Sequence, residues 1–192
     1  MSHHHPGKSE LRAAALARRD ALTPAEREAA SRAVAARGFP VPVDAATVVA
    51  GYAPIRSEFD PFPLMRALAQ RGARLALPAV VARDQPLAFR AWSFGQALHP
   101  GKFAILEPAL DAVPVEPDLV LVPLAAFDRA GHRIGYGAGF YDRTLSWRSA
   151  TKPLIALGLA FATQEVDGVP ALPHDIGLDY IVTERETIAL RS

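Results

Sequence analysis

Between Val120 and Arg143 the chain carries its densest chemical signal. A short apolar run, Val120-Leu121-Val122-Pro123, leads into a loop with glycines at 135, 137 and 139, and then into the helix-forming residues that follow Phe140. Glycines at that spacing let a backbone turn tightly and bring its N–H groups close to a ligand, and the partial positive charge of the following helix N-terminus favours an anion. Arg133 adds a guanidinium suited to paired phosphate oxygens. Asp142 places a carboxylate where it can cap the helix or hold a divalent cation against a phosphate. Tyr136 and Phe140 offer flat apolar surface beside them. A glycine-rich turn without a ligand stays open as a reading at this point. The dinucleotide fingerprint fails because Phe140 stands where its third glycine is required, and no GK[ST] ending of a P-loop occurs in the chain. A GxSxG elbow and an HExxH helix are absent too.

The elements that must position this loop can be read from pattern. Residues 8–20 predict a helix with Leu11, Ala14, Ala15 and Leu16 on one face and Lys and Arg elsewhere. Thr23-Pro24-Ala25-Glu26 is a capping box with proline at the first helical position, opening a helix that runs to about Arg37 and stops at Gly38. Strands are predicted at Thr47–Tyr52, at Ala73–Leu77 with Pro78 as the stop, at Leu87–Trp92, Asp118–Pro123, Pro153–Leu159 and Tyr180–Thr183. Helices are predicted from Asp60-Pro61 to near Gly72 and over Tyr141–Trp147. This alternation predicts a single α/β domain over residues 8–192, behind a flexible tail of residues 1–7. Its three α-β-α layers enclose a mostly parallel, Rossmann-like sheet with helices on both faces.

Composition narrows the function classes. The 192 residues are 50% hydrophobic and 21% charged, ordinary for a globular chain. Lys and Arg number 21 against 20 Asp and Glu, a formal charge of +1 that gives no bulk drive towards nucleic acid or an anionic membrane. An anionic ligand must therefore be held by a local cluster. The chain has no cysteine, which excludes disulfides, thiolate metal sites and cysteine nucleophiles. Without an apolar run of ~18–20 residues or a signal-peptide core, a cytoplasmic protein is expected. The His3–His5 tract has no acidic neighbour and is not read as a metal site.

The string RIGYGAGFYDR at 133–143, preceded by VPLAAFD at 122–128, resembles the signature of the 5-formyltetrahydrofolate cyclo-ligase (5,10-methenyltetrahydrofolate synthetase) family. Other landmarks follow in order: Lys8 with Arg12, Tyr52 to Glu58, Phe103 to Pro108, Gln164, and His174-Asp175 with Asp179. The resemblance covers essentially the whole chain from residue 8. It departs at Phe140, where tyrosine is commoner, so one phenol hydroxyl is lost.

The resemblance implies a ligase that uses ATP and Mg²⁺ to convert 5-formyltetrahydrofolate, with or without a polyglutamate tail, into 5,10-methenyltetrahydrofolate, ADP and phosphate. A formamide oxygen leaves poorly, so in the family scheme it is first phosphorylated by ATP, after which N10 closes the ring and phosphate departs. Lys8, Arg12, Arg133, Gly135, Gly137, Gly139 and Tyr141 would then contact ATP. Ala53, Glu58, Tyr136 and Phe140 would contact the folate, with the Glu58 carboxylate on the pterin amino group and ring N–H. Asp142 and Asp175 would be the magnesium carboxylates. Trp92 and Phe103 offer further aromatic surface but read first as core. A monomer with no nucleic-acid or membrane partner is expected. The alternatives are a non-catalytic folate- or nucleotide-binding protein on the same scaffold, and an isomerase or acyl-CoA transferase on a related three-layer fold.

Overall fold

Capping chemistry sets most of the helix boundaries. The computed structural model describes residues 6–102, 105–149, 152–170 and 175–190. Helix α1 (Lys8–Asp20) begins where the Gly7 amide donates to Glu10 Oε2 at 2.8 Å. Helix α2 (Pro24–Ala36) begins at the reciprocal pair in which Glu26 N donates to Thr23 Oγ1 at 3.2 Å and Thr23 N donates to Glu26 Oε2 at 2.7 Å. Helix α3 (Phe62–Gln70) closes just before Gly72, which takes the left-handed φ of +102°. Helix α4 (Phe140–Ser149) leaves directly from Gly139.

The strands are β1 (Val48–Ala50), β2 (Arg74–Ala79), β3 (Ala88–Ala91), β4 (His99–Pro100), β5 (Leu106–Glu107), β6 (Leu119–Pro123), β7 (Ala126–Phe127), β8 (Arg133–Ile134), β9 (Ile155–Leu159), β10 (Tyr180–Val182) and β11 (Thr187–Ala189). Seven of them form one sheet in the order β11-β10-β9-β6-β1-β2-β3. Its five inner strands run parallel, and the edges β3 and β11 are antiparallel. Side-chain alternation splits the core between the two faces. Val49, Leu75, Leu77, Leu119, Leu121, Leu157 and Leu159 meet α2 and α3 on one side. Val48, Ala50, Ala76, Val120, Val122 and Ala156 meet Leu145 of α4 on the other. This is the expected three-layer α/β arrangement. No helix among the described residues is long and apolar enough to cross a membrane.

Three features depart from the sequence expectations. Strand β2 does not stop at Pro78 but runs through it to Ala79, with Pro78 opposite Phe89. The Ala76 carbonyl accepts from Gly51 N, so Pro78, two residues on, turns its nitrogen towards β1. Strand β1 has already left the sheet there, and no ladder bond needs the missing N–H. Second, the path from β6 to the glycine loop is not a simple loop: β7 and β8 form a hairpin, Ala126 opposite Ile134 and Phe127 opposite Arg133. Third, the buried stripe of α1 is Leu11, Ala15 and Arg19; Ala14 faces solvent and a charged side chain is enclosed. Residues at i, i+4 and i+8 share one face, and Arg19 finds polar partners there that no apolar count anticipates.

Candidate active site

Strands β6, β1 and β2 are neighbours in the sheet, and all three end at one cavity of about 500 Å³. Tyr52 and Ala53 reach it from the end of β1, Pro78 and Val80 from β2, and Pro123 from β6. A crevice beyond the carboxyl ends of parallel strands is where open α/β sheets hold ligands. Every site residue expected from the sequence lines this cavity, whether it comes from α1, the loop after β1, the glycine loop, α4 or the segment before β10.

One end of the cavity is backbone and charge. Gly137 and Gly139 have φ of +97° and +67°, conformations that side chains with a Cβ rarely adopt. Gly135 has no such requirement, and a Cβ there would meet nothing within 4 Å. The loop is clasped from behind by Arg143, whose Nη2 donates to Ala138 O and to Arg83 O, each at 2.7 Å. Arg12 Nε donates to Gly135 O at 2.8 Å, and Lys8 Nζ meets Asp175 Oδ2 at 2.6 Å. Lys8 and Arg12 stand four residues apart on one face of α1, so both reach the cavity together. Arg133 is 8% exposed; its Nη2 lies 2.6 Å from Asp142 Oδ1, and its Nη1 donates to Ile176 O. Burial lowers the basicity of Arg133, while the Asp142 and Asp175 carboxylates both act on it in the opposite sense. Three cations and two carboxylates thus converge beside the glycine loop.

Because the site of a Cβ at Gly135 is open and its backbone unstrained, Gly135→Ala is expected to melt at the wild-type temperature. A raised KM for nucleotide in that folded variant would report a ligand passing within contact of residue 135. Wild-type nucleotide kinetics would remove Gly135 from the site.

The other end is aromatic around one acid. Glu58 is 8% exposed, and its Oε2 accepts from Ile55 N at 2.9 Å across a tight turn in which Arg56 takes a φ of +53°. Burial pushes the Glu58 carboxyl above its ordinary value, an effect that the Ile55 amide, the Tyr136 hydroxyl, Arg19 and Arg56 reduce. Burial likewise raises the phenols of Tyr52, Tyr136 and Tyr141, leaving all three neutral at physiological pH. Tyr52 donates to Phe59 O at 2.7 Å, which fixes the chain between it and the Glu58 turn. The Tyr136 residue is exposed, yet its hydroxyl is tucked against Leu124 O at 3.3 Å and Arg19 Nη1 at 2.5 Å.

The sign of the Glu58 shift gives a stability prediction. The fold holds the Glu58 proton more tightly than the unfolded chain does, so stability falls as pH rises from the ordinary 4.5 through the raised value. Glu58→Gln should therefore melt at or above the wild-type temperature at neutral pH, with the advantage fading in acid. A clear drop in Tm at neutral pH would show that the ionised carboxylate stabilises the fold.

Trp92 is core: it is 6% exposed and packs on Phe62 at 5.6 Å and Phe94 at 4.8 Å, away from the cavity. Phe103, His174 and the His3–His5 tract lie outside the described residues. Gln164 is buried and donates to Leu124 O and Ala125 O, so it holds the peptide that leaves β6 and does not reach the cavity. Pattern reading passed over Asp128, at the tip of the β7–β8 hairpin. It also left Arg19 among the outward charges; the periodicity 11-15-19 is the signal that would have found it.

A sequence model described as the 5-formyltetrahydrofolate cyclo-ligase family matches residues 4–184. The chain belongs to this family. A 5-formyltetrahydrofolate cyclo-ligase of Mycolicibacterium smegmatis is 36% identical over 195 residues, covering 96% of this chain and 97% of the relative. That of Escherichia coli K12 is 36% identical over 174 residues, covering 86% and 94%. The solved 5,10-methenyltetrahydrofolate synthetase of Aquifex aeolicus superposes with a TM-score of 0.77 at 30% identity, over 96% of this chain and 93% of that one. The synthetase of Mycoplasma pneumoniae superposes with a TM-score of 0.71 at 25% identity, over 92% and 98%. Similarity to cyclo-ligases thus runs the length of the described fold, and the seven-stranded sheet of this chain is the frame on which the cavity is built.

Proposed function

We propose that this chain is a 5-formyltetrahydrofolate cyclo-ligase that consumes ATP, forming 5,10-methenyltetrahydrofolate, ADP and phosphate. One observation carries the reading: a single cavity has a glycine loop and converging cations at one end and a buried acid among tyrosines at the other. The first end suits a triphosphate and the second a pterin, so two substrates can meet end to end.

The chemistry asks the protein for alignment more than for covalent help. The formyl oxygen attacks the terminal phosphorus and ADP leaves; N10 then adds to the activated carbon and gives up its proton to solvent, and the phosphate is expelled as the ring closes. In this scheme Lys8, Arg12 and Arg133 neutralise phosphate charge, and the amides of 135–139 hold its oxygens. Glu58 accepts two hydrogen bonds from the pterin edge, while Tyr136 and Phe140 flank the reacting formyl group. Phe140 supplies only apolar surface there, and Arg143 lies over its ring at 5.4 Å.

Magnesium fits the donors present. No group of three or more His, Cys, Asp or Glu placed to hold a metal occurs among the described residues. Mg²⁺ bound with a nucleotide, however, commonly takes only one or two carboxylates beside phosphate oxygens and water. Asp142 and Asp175, which both act on Arg133, would supply these carboxylates. When bound, the ion would offset charge that builds on the transferring phosphate.

The test is to incubate the purified chain with 5-formyltetrahydrofolate and MgATP and follow the methenyl chromophore together with ADP. Stoichiometric formation of both is expected. Folded protein that yields neither above the control overturns the assignment.

A further inference from the structure

Arg19 is, among the described residues, the buried cation that the cavity does not explain. It lies in the last turn of α1 with 4% of its side chain exposed, and it does not line the cavity. Enclosing a guanidinium is unfavourable unless charge and hydrogen bonds compensate. Its direct ion-pair partner is weak: Asp20 Oδ1 lies 3.6 Å away on a side chain that is 61% exposed. The closer contacts run elsewhere. Arg19 Nε donates to Ser57 Oγ at 3.1 Å, and Ser57 in turn donates to Asp20. Arg19 Nη1 donates to the Tyr136 hydroxyl at 2.5 Å, with the guanidinium carbon 5.7 Å from the centre of the Tyr136 ring. One side chain therefore ties α1 to the Glu58 turn on one side and to the glycine loop on the other.

Tethering alone needs donors, which a neutral side chain can supply; a cation is called for where negative charge lies close. The groups that face Glu58 are Arg19 from α1, Arg56 from its own turn, Tyr136 from the glycine loop, Tyr52 from the exit of β1 and Tyr141 from α4. Arg56 is exposed and screened by solvent, and the three phenols stay neutral. Arg19 is the buried cation among them.

We propose that Arg19 is a positioning residue for folate recognition, acting from behind the cavity wall by fixing the Tyr136 phenol and the Glu58 turn against one another. The proposal rests on the reading of Glu58 as the pterin acceptor. Arg19 touches no substrate; it acts through the two side chains that do, and its charge favours the ionised form of Glu58 against the effect of burial.

Steady-state kinetics of Arg19→Met, Arg19→Lys and Glu58→Gln, with both substrates varied and the acid limb of the folate kcat/KM profile recorded, test this. In Arg19→Met the KM for 5-formyltetrahydrofolate should rise about tenfold or more, roughly the loss of one charge-assisted hydrogen bond. The KM for MgATP should stay near wild type. The acid limb should move to higher pH, because Glu58 takes up a proton more readily without the cation. Arg19→Lys should return the limb towards wild type while KM stays raised, since an ammonium restores charge without the fork. Wild-type folate KM and limb in folded Arg19→Met overturn the proposal, as does an equal loss of affinity for both substrates, which is what general distortion produces. If Arg19→Met does not fold, Arg19→Lys decides: an unchanged folate KM overturns it. The Glu58→Gln arm separates the two levels. Unchanged folate KM there removes the pterin reading itself, whereas a raised KM beside a wild-type Arg19→Met removes only Arg19.

Discussion

Asp142→Asn is expected to lower turnover by about 10²–10³-fold, the usual cost of removing one group that stabilises charge in a phosphoryl transfer. Asparagine keeps the shape and can still accept from Arg133 Nη2, so the 2.6 Å contact survives as a neutral hydrogen bond. The Asp142 side chain is 38% exposed, and Asp175 also acts on the buried guanidinium. The fold should therefore lose only a few degrees of Tm. Two roles are separable by titrating Mg²⁺ in the variant. A metal-binding role predicts that the concentration for half-maximal rate rises sharply; a role confined to holding Arg133 predicts a lower rate at unchanged Mg²⁺ dependence. Wild-type turnover at limiting Mg²⁺ would remove Asp142 from the chemistry.

Asp128→Asn is expected to cost roughly 2–3 kcal/mol of stability at neutral pH, from loss of a charged acceptor and the donors left poorly matched around it. For a chain of this size that is a fall of about 5–10 °C in Tm. Asp128 is 3% exposed and accepts from Ala130 N at 2.9 Å, His132 N at 3.0 Å, Val169 N at 2.9 Å and His132 Nδ1 at 3.1 Å. Burial alone would push this carboxyl up, but the bonds from Val169 and His132 outweigh it and hold it below the ordinary value. A lowered folded value means that the stabilisation is present above the unfolded pKa and is lost as pH falls through the folded one. Wild type and variant should thus converge in acid. Thermal melts at neutral and acid pH check this, and equal Tm values at neutral pH would refute it.

The reason that this one acid matters is geometric. Strands of two residues are marginal on their own, and β8 carries Arg133 into the cavity. Asp128 closes the turn between β7 and β8 and ties it to Val169, so the position of Arg133 depends on a carboxylate outside the cavity. Glu58 illustrates the opposite balance. Its burial opposes folding at neutral pH, and the expected gain in stability on its amidation marks a residue kept for something other than the fold.

Signals that act within a few residues were legible in the chain itself. Thr23 with Glu26 and Pro24 set the start of α2, Gly72 marked the end of α3, and the uninterrupted Leu119–Val122 run marked the central strand. The segment 133–143, with its glycines, Arg133 and Asp142, marked a candidate anion-binding loop, because backbone freedom and charge there are properties of residue type and spacing; its resemblance to a family signature supplied the remote candidates. The tertiary structure showed how Lys8, Ala53, Glu58 and Asp175 come to border the same cavity as that segment. The strand order β6-β1-β2 joins them, and no periodicity along the chain encodes which strands become neighbours. It also decided that Pro78 can lie within β2, since a missing donor matters only where another strand stands opposite. The enclosure of Arg19 was likewise out of reach, because a charge at a helical position is buried or solvated according to what packs on that face.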